Sequence, residues 1–249
     1  MINGVILVDF DNVFYGDALS LQKVQYLLEG FVDECLAVET EPEFEHLEVR
    51  LYGGWKSKNG FTQRADTVRG YMDRINSMLF PRIYKGRRIL GKVTVVTSQY
   101  NLDVEWDDTM QEKHGRHLLK VKTSEQHPCQ EDPTQCPLHL IAAATRGTQV
   151  QCPISGCEYI DASQLIRMEQ KMVDTMMTCD ILEYAREPKC RVIEVVSDDV
   201  DLHPAMALAG SKYAVETGVQ LLLLVHNQLK TQHYAHLLNP HHVKICNWQ

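Results

Sequence analysis

Two short apolar runs in this chain end in acids. The first is Val5-Ile6-Leu7-Val8, followed by Asp9-Phe10-Asp11-Asn12. The second is Val192-Ile193-Glu194-Val195-Val196, followed by Ser197-Asp198-Asp199-Val200-Asp201. Continuous apolar runs of this length read as strands buried on both faces of a parallel sheet. In such sheets ligands bind beyond the carboxyl ends of the strands. Five aspartates gathered there repel one another unless a cation sits among them. Oxygen-only donors suit Mg²⁺ or Mn²⁺, and one or two such ions can activate water and offset charge during phosphodiester cleavage. Helix capping accounts for one aspartate per strand end, for example Asp199 or Asp201 ahead of a helix near 203. It does not account for five.

A helix expected over 166–186 adds more acids. Val173, Met176, Met177 and Tyr184 fall on one stripe that should face the sheet. Asp180 falls on that same stripe and needs a backbone amide, an arginine or the site as partner, because an unpaired buried carboxylate is costly. Lys171 and Asp174 stand near the helix start, and Asp174 could equally be a first-turn acid answering the helix dipole.

The order Asp9-x-x-Asn12, then Lys171-x-Val173-Asp174 followed by Asp180, then Ser197-x-Asp199-x-Asp201-Leu202-x-Pro204 resembles the NYN family of PIN-like nucleases. The resemblance covers the opening of the chain and about 166–246, and is weak between. It implies an α/β sheet, a Mg²⁺/Mn²⁺ site and cleavage of RNA. It further implies metal-binding and catalytic roles for Asp9, Asp174, Asp199 and Asp201. Asn12 would orient Asp9 or a substrate phosphate, Ser197 would hold the turn, and Asp180 and Lys171 would support the site. This chain departs from the family pattern at Asp198 and Met172, where glycine is usual, and at Leu202, where phenylalanine is usual.

Cys129, Cys136, Cys152 and Cys157 form two pairs, with His127 and His139 nearby. Four thiols in so short a stretch suggest a structural Zn²⁺ site, with free thiols or a disulfide on a loop as the alternative. Zinc would steady a polar segment that has little core of its own. The densest basic stretch, Arg82, Lys85, Arg87 and Arg88 with Tyr84 among them, could carry a phosphate backbone with base stacking, or could be a solvated face. Arg64 and Arg69 precede that stretch on the expected helix, and Trp55 with Lys56 and Lys58 could also lie near a substrate.

These residues need elements to hold them. Strands are expected at 4–9, 47–53, 93–97, 192–197, 219–225 and 243–246. Helices are expected at 19–38, 61–79, 166–186 and 203–217, with a loop and short helix between 226 and 240. The alternation implies an α/β fold, an open parallel sheet with helices on both faces. The sheet domain should comprise 1–97 and 166–249, with 98–165 as a Cys-containing insertion. A formal charge of −8 argues against a nucleic-acid coat protein but suits a carboxylate site fed by local basic patches. No segment reaches the length of a membrane span, so a cytoplasmic protein is expected. The nucleic-acid partner is expected to be RNA rather than DNA. Two rival readings remain. Asp9-Phe-Asp11-Asn-Val13 also resembles the opening of haloacid-dehalogenase-type phosphatases, with Asp9 as nucleophile. The chain could also be a non-catalytic module that binds RNA or protein.

Overall fold

A computed structural model describes residues 3–14, 19–38, 44–57, 59–102, 104–106, 109–114, 166–170, 172–226 and 228–248. The chain divides into two units. One holds Met1–Thr109 and Lys171–Gln249, and the other holds Met110–Gln170. Residues 98–109, expected in the insertion, therefore belong with the sheet.

The described elements of the larger unit are β1 (Gly4–Asp9), α1 (Phe10–Val13), α2 (Leu21–Val38), β2 (His46–Tyr52), β3 (Lys56–Ser57), β4 (Gly60–Phe61), α3 (Gln63–Leu79), β5 (Arg82–Tyr84) and β6 (Arg87–Val95). The smaller unit contributes β7 (Met110–His114) and β8 (Ile166–Gln170), which pair antiparallel. The larger unit resumes with α4 (Val173–Arg186), β9 (Val192–Val196), α5 (His203–Leu208), α6 (Val215–Thr217), β10 (Gln220–Val225), α7 (Gln228–Leu238) and β11 (Val243–Asn247). The fold is α/β, built on a seven-stranded sheet in the order β11-β10-β9-β1-β2-β6-β5. Every neighbouring pair is parallel except β5 with β6.

Side chains alternate across a strand, and the core sorts accordingly. Ile6, Val8, Leu222 and Leu224 meet Leu28 and Phe31 of α2 and Val68 and Ile75 of α3. Val5, Leu7, Ile193 and Leu223 meet Met176, Met177 and Ile181 of α4 and Leu238 of α7. Helices thus cover both faces, which is why β1, β9 and β10 read as unbroken apolar runs. The chain proceeds outward from β1 through β2 to β6, then returns to β9 beside β1 and proceeds the other way. The reversal makes the β1/β9 boundary a topological switch point, where a crevice opens at the carboxyl ends of the strands.

Three expectations need correction. The helix expected over 166–186 begins only at Val173. Its first five residues are strand β8, and Met172 between them adopts a left-handed φ of 63° that interrupts the backbone. Ile166 and Met168 alternate with polar neighbours, a period-two pattern that belongs to a strand. The basic stretch 82–92 is a β-hairpin, so the strand expected at 93 starts at Arg87. The helix expected over 203–217 is broken by a π segment at Ala209–Ala214. There Gly210 lies so close to the His241 carbonyl that a Cβ would sit 1.8 Å from its oxygen. Among the described residues no helix is long and apolar enough to cross a membrane.

Candidate metal centre

Asp9 ends β1 and is only 3% exposed. One carboxylate oxygen accepts the Asn12 backbone N–H at 3.1 Å, capping α1. The other accepts the Ser197 hydroxyl at 3.0 Å. Ser197 ends the strand next door, and its oxygen also accepts the Asp199 backbone N–H at 3.0 Å. Asp199 in turn caps the short 3₁₀ turn Val200–Leu202 by accepting the Asp201 N–H at 2.9 Å. Asp174 reaches the same point from the first turn of α4. One oxygen each from Asp9, Asp174 and Asp199 all lie within 4.8 Å of one another. Three carboxylates from three separate elements thus meet at the switch point.

Electrostatics mark the cost of that meeting. Burial pushes the Asp9 carboxyl up to about 7, and the charges of Asp174 and Asp11 push the same way against the two hydrogen bonds. Asp174 is also raised, first by burial and then by Asp199 and Asp201. Carboxylates raised in this manner need a counter-charge to ionise together. An all-oxygen donor set of three acids fits a hard divalent cation such as Mg²⁺ or Mn²⁺.

The five aspartates of the two strand ends do not all converge. Asp11 accepts the Gly54 N–H at 2.7 Å and faces the Arg64 guanidinium at 2.8 Å. Asp198 accepts the His226 N–H at 2.9 Å and pairs with Lys230 at 3.5 Å, while its carbonyl lies 3.4 Å from the Tyr234 hydroxyl. Asp201 is exposed and acts on the cup through its charge on Asp174. It lies outside the three-acid cluster that was expected to include it. Asn12 contributes its backbone N–H to Asp9, and its side-chain carbonyl accepts the Asp198 N–H at 3.1 Å, lacing the two strand ends together.

Asp180 takes no part in the cup. It is buried between α4 and β2, where it accepts from Arg50 at 3.0 Å, from the Tyr52 hydroxyl and from the Tyr100 N–H at 2.8 Å. Arg50 also reaches Glu48 at 3.4 Å, and Glu48 accepts from Tyr184 at 3.3 Å. Sequence reasoning missed this network. Its signal was present in β2, where Glu48, Arg50 and Tyr52 alternate with Leu47, Val49 and Leu51. His203 follows Asp199 by four residues. That ring packs edge-on against Tyr234 at 4.3 Å, feels the charge of Asp199, and has a buried Nε2 with no hydrogen-bond partner.

The substrate-binding residues expected on the basic hairpin are misplaced relative to this site. Register sets Leu90 of β6 against His46, at the amino end of β2, whereas Asp9 is level with Tyr52 at the carboxyl end. Arg87 and Arg88 therefore stand about 25 Å from the level of the cup along the strand direction. Arg82 and Lys85 share that far end, and Arg82 is engaged with Asp33. Trp55 is fully buried, tilted against Phe10 at 5.1 Å and donating to the Leu51 carbonyl at 2.9 Å, so it packs the core. Lys171 and the four cysteines Cys129, Cys136, Cys152 and Cys157 lie outside the described residues. Among the described residues Cys35, Cys179, Cys190 and Cys246 are free thiols. No family model, curated protein or solved structure matches the chain.

Proposed function

We propose that this chain is a metal-dependent nuclease of the NYN type, hydrolysing phosphodiester bonds in RNA at the cup formed by Asp9, Asp174 and Asp199. The observation that carries the reading is the convergence of three buried or half-buried carboxylate oxygens within 4.8 Å at the sheet's switch point. A bound Mg²⁺ or Mn²⁺ would supply Lewis acidity and lower the pKa of a coordinated water. The chain's own residues do the rest. Ser197 and the Asn12 amide hold both oxygens of Asp9 in fixed directions. The Asp201 amide does the same for one oxygen of Asp199. Asp174, at the start of α4, would share the ion or help orient the attacking water. No serine or cysteine nucleophile is required.

The phosphatase reading fits less well. It needs Asp11 as an acid/base partner to Asp9, but Asp11 is spent on Arg64 and the Gly54 amide. The test is incubation of labelled single-stranded RNA and DNA with Mg²⁺, Mn²⁺ or chelator, for the native chain and Asp199→Asn. We expect divalent-dependent cutting of RNA that the substitution abolishes. Equal cutting by both proteins, or hydrolysis confined to phosphomonoesters, would sink the proposal.

A further inference from the structure

Two cations grip the turns that build the cup, one on each side. Arg64 projects from the first turn of α3, whose start is pinned because Thr62 caps Ala65 and donates to the Gly54 carbonyl at 3.1 Å. Its guanidinium meets Asp11, two residues beyond Asp9, and donates to the Phe14 carbonyl at 3.0 Å. On the other side Lys230, near the start of α7, meets the Asp198 carboxylate at 3.5 Å and the Asp198 carbonyl at 3.4 Å, one residue before Asp199. Neither pair is sealed. The Arg64 side chain is 25% exposed and that of Lys230 is 39% exposed. The Arg64 Nε pairs with Asp11 at 2.8 Å as an ion pair outside hydrogen-bond geometry. The carboxylate partners are 19% and 20% exposed, so both pairs lie at the partly open edge of the sheet, with Arg64 also 5.2 Å over the Phe10 ring.

Their placement follows from strand order. Asp11 leaves β1 toward the turn after β2, where Gly54 lies. Asp198 leaves β9 toward the turn after β10, where His226 lies. Between β2 and β10 stand β1 and β9, so the two cations flank the cup at least three strand spacings apart, about 14 Å across the strands, one from the α3 face of the sheet and one from the α7 face. A single phosphate group cannot bridge that gap, but a short run of nucleotides can. The chain also needs such help. Its formal charge is −8, the cup itself is anionic, and the basic hairpin is at the far end of the sheet. An anionic strand can approach only where local cations face it.

We propose that Arg64 and Lys230 bind backbone phosphates on opposite sides of the scissile bond, so that the substrate is a single nucleic-acid strand laid across the carboxyl edge of the sheet. The proposal rests on the nuclease reading for the identity of the cup. Arg64 makes a planar, two-pronged contact and Lys230 a point contact. Asp11 and Asp198 hold the two side chains over the edge until a phosphate takes their place.

The experiment is fluorescence anisotropy of a labelled single-stranded RNA, titrated at several salt concentrations in the Asp199→Asn background so that no cutting intervenes. Each phosphate contact to a single strand contributes about 0.7 to the slope of log K against log salt. We expect Arg64→Gln and Lys230→Gln each to lower the slope by about 0.7, and the pair together by about 1.4. Arg64→Lys and Lys230→Arg should keep the slope, which separates lost charge from lost fold. Arg87→Gln with Arg88→Gln should leave it unchanged. An unaltered slope in the Arg64 and Lys230 variants, or a fall in the hairpin variant, would overturn the proposal. Cleavage by the native chain is scored separately. If it persists while the slopes are flat, the clamp fails and the nuclease reading stands. If it is absent while the slopes fall as expected, the two phosphate contacts stand but the nuclease reading, and with it their placement about a scissile bond, fails.

Discussion

Glu194 is the residue in this fold whose surroundings suit it least. It sits in the middle of β9, flanked in register by Ile6 and Leu222, fully buried, with both carboxylate oxygens lacking a hydrogen-bond partner. Burial, with a smaller push from Glu34, raises its pKa well above 4.5. The folded protein therefore holds a proton that the unfolded chain releases. Stability tied to that proton is complete below the unfolded value and is lost as pH rises toward the folded one. We expect Glu194→Leu to stabilise the protein at neutral pH by about 1–3 kcal/mol, the usual cost of an unsatisfied buried polar group. It should also flatten the fall in stability with pH, as read by urea unfolding at acidic and neutral pH. A variant less stable than the native chain at neutral pH would show that Glu194 has a favourable partner. At this scale the sequence was informative where a side chain's direction follows from strand geometry. Asp9 is the last residue of a strand and must face as Val5 and Leu7 do, onto the α4 side. Asp11, Asp198 and Asp201 lie in turns, where torsions invisible in the sequence send them to Arg64, to Lys230 and to solvent.

Helix α4 brings Asp174 to the cup, and what fixes its seat is the pair of buried groups about two and three turns further on. Asp180 ties α4 to β2 through Arg50 and Tyr52, and Tyr184 adds a tie to Glu48. Burial raises the Asp180 carboxyl, with Arg50 opposing, and holds Tyr52 in its protonated form. Removing one partner of a buried ion pair leaves the other charge uncompensated, at about 3–5 kcal/mol. We expect Asp180→Ala to cost that much in chemical unfolding. Loss of less than about 1 kcal/mol would mean that Arg50 is satisfied without it. The helix stripe made Asp180 legible as a residue in need of a partner, and the structure supplies both an arginine and a backbone amide. The network's other half was hidden because three polar side chains in a half-apolar strand resemble a solvent-facing edge. The start of α4 was hidden for a different reason. Only the left-handed turn at Met172 stops the helix from running back into β8, and no glycine or proline marks it.

The order of strands makes the whole site. The parallel sheet, though not its order, was readable because β1, β9 and β10 are mostly apolar, the pattern of strands covered on both faces. What escaped notice was the β5/β6 hairpin, whose residues are charged because it forms the exposed edge beyond β2. Its cations were expected near a substrate, whereas the register sets them at the end of the sheet opposite the cup. The same order has a consequence for how the molecule is made. Strand β1 is translated first, yet it is central, and its Ser197 partner comes 188 residues later. A growing polypeptide can complete β1 on its β2 side while the β9 side stays raw, and unpaired strand edges invite association with other chains. The cup is equally unfinished until then, because Asp199, its last carboxylate, follows β9. We expect a chain ended after Cys190 to form sedimenting aggregates and to show no nuclease activity. A soluble, cooperatively unfolding fragment would show that β1 can live without its late neighbour.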